Sequence, residues 1–294
     1  MNNAVGVVGL GQMGGAMARH LLTAGFDVVG FDVAATPRAA FGEHGGALVD
    51  SPQAVAEAAD RVITSLPSVA ALDAVVNDPD GLLAAGRRVT VIETSTLPLD
   101  VKQRNHDAAQ AAGVTLLDCP LSGTGAQAQT GDLVVFASGD DAEIDRCVEI
   151  FEGFSRAHFR LGEFGSGSKM KFIANHLVTI HNVAAAEALV LGMKAGLDPA
   201  RVLEVVSSGA GTSRMLEIRG PSMVENRYTA AGMAGSTFQK DIRIIGDFAK
   251  SLACPVPLFS ASSEVHLAAV AQGFGDVDTA AVCAVLERLA GLDR

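Results

Sequence analysis

Up to about residue 160, the chain alternates short apolar runs with stretches in which apolar residues recur at helical spacing. The apolar runs predict six β-strands, at Ala4–Val8, Asp27–Phe31, Arg61–Thr64, Thr90–Glu93, Val114–Asp118 and Leu133–Ser138. Helices are predicted between them, over residues 13–24, 52–58, 69–76, 98–112 and 140–152. The runs are almost continuously apolar, which is typical of strands covered on both faces. Alternating β and α elements therefore predict an α/β fold with a doubly wound, largely parallel sheet.

The pattern changes after Gly162, where strand signals fade and apolar residues recur only at helical spacing. Six helices are predicted in this part, over residues 168–195, 199–207, 213–225, 236–251, 258–272 and 276–291. We therefore predict two domains, an α/β domain over residues 1–162 and an all-α domain over residues 163–294. The apolar helices exceed what one small domain needs, which predicts a homodimer or homotetramer built through the helical domain.

The first predicted strand runs into the segment Gly9-Leu10-Gly11-Gln12-Met13-Gly14, which has the spacing G-x-G-x-x-G and opens the first helix. In a dinucleotide-binding turn, Gly9 allows the tight turn and Gly11 lets the backbone approach a pyrophosphate. Gly14 then lets helix and strand pack closely. The helix N-terminus offers unpaired N–H groups to the anion. This context predicts a Rossmann domain; an ordinary tight βα turn is the alternative.

Asp32 ends the second predicted strand, 18 residues after Gly14. A carboxylate at this place hydrogen-bonds the 2′-hydroxyl of the adenosine ribose and would repel a 2′-phosphate. We therefore predict NAD rather than NADP as the cofactor. Arg38 lies close enough along the chain to keep a phosphate partner, and hence NADP, as an alternative.

Six segments resemble the β-hydroxyacid dehydrogenases, the family of 3-hydroxyisobutyrate dehydrogenase, tartronate semialdehyde reductase and relatives of 6-phosphogluconate dehydrogenase. They occur in the family's order and are the glycine turn with Met17-Ala18, Thr64-Ser65-Leu66-Pro67, Glu93-Thr94-Ser95-Thr96, Asp118-Cys119-Pro120-Leu121-Ser122-Gly123, Gly165–Lys171 with Asn175, and Lys240-Asp241-Ile242. The resemblance implies a Rossmann domain followed by an all-helical domain. It also implies cofactor contacts at Gly9, Leu10, Gly11, Gln12, Met13, Gly14, Asp32, Leu66, Pro67, Thr96 and Lys240.

The resemblance further implies that Lys171 and Asn175 are catalytic. Being four residues apart, they share one face of a helix, whereas Lys169 points roughly to the opposite side. A lysine in apolar surroundings can exchange a proton near neutral pH, so Lys171 is predicted to accept and return the hydroxyl proton. From the residues alone, two solvated polar positions at a helix start are an equal alternative.

Substrate contacts are implied at Ser122, Gly123, Thr124, Gln127 and Lys240. Thr124 and Gln127 depart from the family's Ser-Gly-Gly continuation and add hydrogen-bonding groups beside the loop expected to hold a carboxylate. If both side chains face the substrate, an apolar substrate tail would leave them unpaired. This departure predicts that polar acids, such as glycerate-like and four-carbon sugar acids, are used better than 3-hydroxyisobutyrate.

Composition limits the other possibilities. The net charge is −11, which argues against non-specific binding to nucleic acid or to anionic membranes. The longest apolar segment, residues 172–193, is interrupted by His176, His181 and Glu187, so no membrane span is expected.

His176 and His181 lack an evident third ligand, and no metal site is predicted. Four scattered cysteines are typical of free thiols in a reducing compartment, and no targeting pattern opens the chain. A cytoplasmic protein is expected.

The sequence therefore predicts an NAD-dependent oxidoreductase that transfers a hydride between the cofactor and a small 3-hydroxy acid or its oxidised form. An imine reductase has the same architecture but usually lacks the catalytic lysine, so Lys171 argues against it. A dinucleotide-sensing module without catalysis is the second alternative, although it would not need Lys171, Asn175 and the Ser122 loop together.

Overall fold

The structure, a computed structural model, describes residues 3–229 and 234–294. The chain divides into two compact units, Met1–Lys171 and Phe172–Arg294. This division falls inside a helix that begins at Ser166. The sequence-based boundary between residues 162 and 163 stays a prediction.

The first unit contains a six-stranded, fully parallel sheet with the order β3-β2-β1-β4-β5-β6. Its strands are β1 Ala4–Val8, β2 Asp27–Phe31, β3 Ala47–Leu48, β4 Arg61–Thr64, β5 Thr90–Glu93 and β6 Thr115–Asp118. The strand order reverses between β1 and β4, so the loops that follow these two strands diverge and leave a crevice at the carboxyl edge of the sheet.

Helices cover both faces of this sheet, as the apolar strands predict. They are α1 Gln12–Thr23, α2 Ala35–Glu43, α3 Pro52–Ala58, α4 Val69–Asn77, α5 Leu99–Ala111, α6 Gly125–Gln129 and α7 Asp141–Phe154. One buried cluster includes Met17 of α1 and Phe151 of α7. The cluster on the other face includes Val55, Leu72 and Val101, from α3, α4 and α5. The predicted doubly wound fold is confirmed.

A second, three-stranded sheet lies in the same unit, with the order β7-β8-β9. Its strands are β7 Leu121–Ser122, β8 Val134–Ala137 and β9 Ala157–Arg160. The sixth predicted strand therefore belongs to this small sheet, and β3 takes the remaining place in the large one. Helix α2 is also absent from the predictions, because Pro37 in its first turn interrupts the pattern. A proline is tolerated there, since the first N–H groups of a helix have no partner inside the helix.

The second unit is helical, as predicted. From residue 166 onwards the described helices are α8 Ser166–Lys194, α9 Pro199–Ser207, α10 Arg214–Val224, α11 Gly235–Ser251, α12 Pro257–Ala269 and α13 Val282–Leu289. The core packs Ala186 and Leu189 of α8 against Met223, Val282 and Val285. Helix α12 ends earlier than its apolar pattern suggests. A π-turn follows it, and Gly273 in that turn adopts a positive φ of 89°.

Helix α8 is the core helix of the second unit and runs on from the end of the first. By length and composition alone it could cross a membrane, and 44% of its most apolar window is buried in the protein. Its buried side carries polar residues whose hydrogen bonds stay inside the protein. Thr179 donates to its own helix at the Asn175 carbonyl, and Asn182 donates to the Thr279 carbonyl at 3.1 Å. These two polar side chains on the buried side of α8 thus form their hydrogen bonds within the second unit.

His266 of α12 lies in the core of the second unit and makes stability depend on pH. The ring is 2% exposed, faces the Thr179 carbonyl at 3.4 Å and packs edge-on against Phe238. Burial lowers the pKa of His266 from 6.5 to about 4, although the Thr179 carbonyl favours the charged ring. Below pH 6.5 the unfolded chain therefore binds a proton that the folded chain refuses, and stability falls as pH falls.

We expect the free energy of unfolding to fall by about 1.4 kcal/mol between pH 7.5 and 5.5 because of this one residue. Urea unfolding of the wild type and of His266→Gln at both pH values isolates the contribution, since the other groups act equally in both proteins. Equal pH dependence in the two proteins would contradict the prediction.

Candidate active site

The turn between β1 and α1 is closed by its own backbone. Gly9 adopts a φ of +90°, and a Cβ there would lie 2.2 Å from the Ser65 carbonyl oxygen. At Gly14 a Cβ would lie 1.8 Å from the Gly9 carbonyl oxygen, so strand and helix approach too closely for a side chain. These two glycines are required by the fold of the turn itself.

Gly11 differs from its two neighbours, because no heavy atom lies within 4 Å of the Cβ position. It is the exposed N-cap of α1, where no side chain caps the helix and the first N–H groups have no partner within the helix. The turn therefore offers an exposed backbone surface and a helix N-terminus, the combination that binds a pyrophosphate. The residues present fit a dinucleotide.

Asp32 follows β2 at the same edge of the sheet. Its carboxylate accepts hydrogen bonds from the Leu10 N–H at 2.7 Å and from the Ala34 N–H at 2.8 Å. Each oxygen keeps further lone pairs for a ribose hydroxyl. Arg38 instead forms an ion pair with Asp50 at 3.0 Å and donates to the Val49 carbonyl. Arg38 also donates to the Asp32 backbone carbonyl at 3.4 Å, so its guanidinium lies beside the end of β2 and is held there by three acceptors.

The loops that follow β4 and β5 are tied to one another. Ser95 Oγ accepts from the Leu66 N–H at 2.8 Å, and the Thr94 hydroxyl donates to the Thr64 carbonyl at 2.6 Å. Pro67 is exposed and Thr96 is half-buried. Leu66, Pro67 and Thr96 therefore lie beside the Gly9 turn, at the carboxyl ends of neighbouring parallel strands.

The segment predicted to bind substrate folds as β7 followed by the short helix α6. Ser122 and Gly123 are half-buried, and Gly123 has a φ of +139° that favours glycine. Thr124 is the N-cap of α6 and forms a capping box with Gln127. The Gln127 amide also donates to Asp132 at 2.8 Å.

Thr124 and Gln127 thus have each other and Asp132 as partners. The expectation that an apolar substrate would leave them unpaired is wrong in its premise, because the capping box already satisfies them. Their contact with substrate stays a prediction. The local effect expected from Thr124→Gly is a weakened helix cap, worth a few tenths of a kcal/mol.

Gln12 connects the glycine turn to this segment. A Cβ at Gly125 would lie 2.2 Å from the Gln12 amide, so the glutamine side chain lies directly on the Gly125 backbone. On the next turns of α1, His20 faces the Ala128 carbonyl at 3.0 Å, and Arg19 donates to Gln129. Helix α1 therefore packs along one side of α6. If Gln12 contacts the cofactor through its backbone, its side chain is available for this contact with Gly125.

A buried charge cluster underlies these loops. Lys102 of α5 is fully buried, and its ammonium lies 2.5 Å from Glu93 Oε2 and 2.7 Å from Asp118 Oδ1. Burial alone would lower the pKa of Lys102, but the two carboxylates outweigh it and raise the pKa well above its ordinary value. Lys102 therefore stays charged although it is fully buried. Removing one partner of such a pair costs about 3–5 kcal/mol, because a buried charge is left alone.

Asp118 also holds the beginning of α8. Its carboxylate accepts from the Ser168 N–H at 2.7 Å and from the Ser168 hydroxyl at 2.7 Å. Ser138 adds a bond from the Gly167 N–H at 2.9 Å to its hydroxyl oxygen. The N–H groups of the first turn, which have no partners within the helix, are thereby satisfied by side chains from the sheet.

One turn further along α8, Lys171 is 6% exposed whereas Lys169 is exposed. The two lysines therefore lie on different sides of the helix, as their spacing predicts. In the second unit, Asn175 is buried and donates its amide to Asp241 Oδ2 at 2.9 Å. Lys240 lies 3.5 Å from Asp241 Oδ1 and is about one-third exposed.

The structure thus gathers the glycine turn, Asp32, Leu66, Pro67, Thr96 and the start of α8 at one edge of the parallel sheet. Sequence reasoning missed Lys102 and gave no role to Ser138 or Ser168, which it covered only as the end of a predicted strand and as part of the segment Gly165–Lys171. It quoted Glu93 and Asp118 only as parts of motifs. Two acidic residues that end neighbouring buried strands were a usable signal, because such carboxylates need a cation. Among residues 3–229 and 234–294, no group of three His, Cys, Asp or Glu side chains could hold a metal ion.

Two sequence models match the chain. The NAD binding domain of 6-phosphogluconate dehydrogenase matches residues 4–162. A second model, described as NAD-binding of NADP-dependent 3-hydroxyisobutyrate dehydrogenase, matches residues 165–286. Together they cover almost the whole chain in the order of its two parts.

Named proteins resemble the chain over nearly its full length. L-threonate dehydrogenase from Cupriavidus necator is 32% identical, over 96% of this chain and 95% of the relative. 2-(Hydroxymethyl)glutarate dehydrogenase from Eubacterium barkeri is 29% identical, over 98% and 96%. The crystal structure of 3-hydroxyisobutyrate dehydrogenase from Salmonella typhimurium has a TM-score of 0.86 and 31% identity, over 96% of this chain and 99% of that one.

Imine reductases are more distant. The structure from Myxococcus stipitatus has a TM-score of 0.66 and 15% identity, over 97% of this chain and 100% of that one. This likeness concerns the fold alone.

Proposed function

Because the chain belongs to the β-hydroxyacid dehydrogenase family, we propose that Lys171 is its general acid and base and that NAD is its preferred cofactor. Membership makes the chain an NAD(P)-dependent oxidoreductase that acts on small hydroxy acids. The proposal adds the residues, the cofactor preference and the class of substrate.

One observation carries the proposal. In the first unit, the turn that fits a dinucleotide and the start of the helix bearing buried Lys171 lie at the same edge of one parallel sheet. Ligands of doubly wound sheets bind at this edge, beyond the carboxyl ends of the strands. A dinucleotide-sensing module would have no use for a buried lysine on a helix fixed to that edge.

The proposed reaction consists of a hydride transfer to or from the cofactor and a proton transfer by a side chain. When bound, the nicotinamide accepts a hydride from the alcohol carbon during oxidation and returns one during reduction. Lys171 takes the hydroxyl proton as the carbonyl forms and gives it back in the reverse reaction. Asn175, one turn along the same helix, holds the same oxygen or the lysine. One N–H of the Asn175 amide donates to Asp241, which leaves the second N–H for the substrate oxygen and the carbonyl oxygen as an acceptor for the lysine.

The preference for NAD is supported by Asp32 and Arg38. Asp32 ends β2 with lone pairs available for the ribose hydroxyls, and a 2′-phosphate would meet its negative charge. Arg38 already has Asp50 and the Val49 carbonyl as partners. The cofactor contacts of Leu10, Gln12, Met13 and Lys240 are part of the proposal.

For the substrate we propose a small polar hydroxy acid, with a four-carbon sugar acid as the first choice. Support comes from the relative named L-threonate dehydrogenase, which matches 96% of this chain. The half-buried Ser122 hydroxyl and the backbone at Gly123 are the groups proposed for the substrate carboxylate. Thr124, Gln127 and Lys240 complete the proposed substrate contacts.

A panel of hydroxy acids tests the proposal. Turnover of L-threonate, D-glycerate, L-serine and 3-hydroxyisobutyrate is measured with NAD and with NADP. We expect the highest kcat/KM for L-threonate with NAD. A higher kcat/KM for 3-hydroxyisobutyrate would overturn the substrate class, and a preference for NADP would overturn the role of Asp32. Reduction of a cyclic imine, with no turnover of any acid, would favour an imine reductase.

A homodimer or homotetramer built through the second unit stays a prediction. It is supported by exposed Ile173, Leu177 and Leu191 on α8, which are 53%, 46% and 73% exposed. Helix α9 has no buried residue at all. The relatives are dehydrogenases, which is consistent with a soluble protein, and a cytoplasmic location is part of this proposal.

A further inference from the structure

The buried cluster of Lys102, Glu93 and Asp118 connects two parts of the first unit that the reaction uses together. Each carboxylate that contacts Lys102 has a second set of hydrogen bonds, and the two sets lead to different loops. We propose that Lys102 is a positioning residue that holds the cofactor loop at Leu66 and the helix start before Lys171 in one fixed arrangement.

The branch through Glu93 leads to the cofactor loop. Glu93 Oε2 contacts the Lys102 ammonium, and Glu93 Oε1 accepts from the Ser95 N–H at 2.9 Å. Ser95 Oγ in turn accepts from the Leu66 N–H at 2.8 Å. Three consecutive contacts therefore run from the ammonium to the turn proposed to hold the cofactor.

The branch through Asp118 leads to the proton carrier. Asp118 contacts Lys102 through Oδ1 and accepts the Ser168 N–H through Oδ2. Ser168 precedes Lys171 by three residues, about 4.5 Å along the helix axis. The first turn of α8 is thus fixed to the sheet directly below the residue that moves the proton.

Charge explains why a lysine is needed between the two branches. Without it, two buried carboxylates at the ends of neighbouring strands would repel each other, and one would take up a proton. With it, each carboxylate has a cation within 2.7 Å. Asp118 lies at the N-terminus of α8, where a carboxylate is favourable, and accepts from both the N–H and the hydroxyl of Ser168.

A displacement of about 1 Å in such a support can cost roughly a hundredfold in rate. We therefore expect the cluster to act on kcat more than on the KM of the acid substrate, and to act on the Kd for NADH through the Leu66 turn. The inference rests on the proposed role of Lys171, so the test measures Lys171→Ala separately.

Because Lys102→Met alone would leave two facing carboxylates and can prevent folding, the main variant is Lys102→Met with Glu93→Gln. Ser168→Ala is a milder second variant, which removes the hydroxyl bond to Asp118 without changing a charge. Thr90→Val is the matched control: it removes a buried bond to Glu143 at the opposite end of β5. For each, kcat, KM, the Kd for NADH and the thermal midpoint are measured.

We expect kcat to fall by about 10- to 100-fold in the double variant and by about threefold or more in Ser168→Ala. The KM of the acid and, in Thr90→Val, every measured constant should stay within about threefold. The Kd for NADH should rise in the double variant, which changes both branches, but not in Ser168→Ala, which changes only the branch to α8. In a Lys171→Ala background Ser168→Ala should lower kcat no further, since its branch has no lysine left to position, and the double variant should lower kcat by a smaller factor than it does with Lys171 present.

An unchanged kcat in the folded double variant, with Lys171→Ala inactive, would overturn this inference alone. The same fold-loss with and without Lys171 would also overturn it, because that is the signature of a purely structural role. If Lys171→Ala kept full activity, the proposed function of Lys171 would fail, and this inference with it.

Discussion

Replacing Lys171 with alanine should lower kcat by roughly 10²–10⁴ and leave the Kd for NADH unchanged. Lys171 is the buried lysine of α8, one turn beyond the point where Asp118 holds the helix. Alanine removes the group that accepts the hydroxyl proton but alters none of the loops that fit the dinucleotide. Steady-state kinetics with the best acid of the panel, together with NADH fluorescence titration, measures both effects.

Lys169→Ala is the control for this experiment. Lys169 lies on the same helix two residues earlier, but its side chain is exposed, so kcat should stay within about twofold of the wild type. If both variants lost activity equally, the loss would come from the charge of the helix start rather than from a proton carrier.

Gly14→Ala and Gly11→Val should distinguish the glycine that the first turn needs in order to fold from the glycine that it needs only to bind the cofactor. A Cβ at Gly14 meets the Gly9 carbonyl oxygen at 1.8 Å, and backbone cannot move aside as a side chain can. We expect Gly14→Ala to destabilise the protein by about 1–3 kcal/mol and to abolish cofactor binding. Thermal unfolding and the Kd for NADH report the two losses together.

Gly11→Val should behave differently, because nothing lies within 4 Å of its Cβ and the backbone there is extended. Stability should change by less than about 0.5 kcal/mol. The Kd for NADH should nevertheless rise at least about tenfold, which is about 1.4 kcal/mol, since the side chain would fill the space left for the pyrophosphate. A valine variant that bound NADH normally would remove Gly11 from the cofactor site.

The sequence predicted the parallel strands well because each is a continuous apolar run with abrupt ends. β1, β2, β4 and β5 begin and end at the predicted residues. The two-residue strands β3 and β7 were missed, since two residues carry no periodicity. The small sheet was missed for a related reason: the pairing of β8 with β9 is decided by contacts distant in sequence, not by either strand's own pattern.

The sequence predicted the loops of the candidate site but not the buried side chains that hold those loops in place. Lys102 lies in a helix rich in polar residues, where a lysine is normally solvated, and its burial depends on two carboxylates from other strands. Asp241 pairs with Asn175 from 66 residues away, and no local pattern announces such a bond. The spacing Thr-x-x-Gln at residues 124–127, in contrast, is a capping signal that local reasoning could have used.

Helix α8 passes from one compact unit to the other without a loop, and this affects how the protein can be recombined with its relatives. A chimera that exchanged the helical unit would have to be joined inside α8. Each residue of a helix turns the chain by about 100°. A junction that added one residue between Ser168 and Lys171 would turn Lys171 by that angle relative to the first turn of the helix, which Asp118 and Ser138 hold. Such chimeras should therefore keep their activity only when the joint preserves the residue count between Ser168 and Lys171.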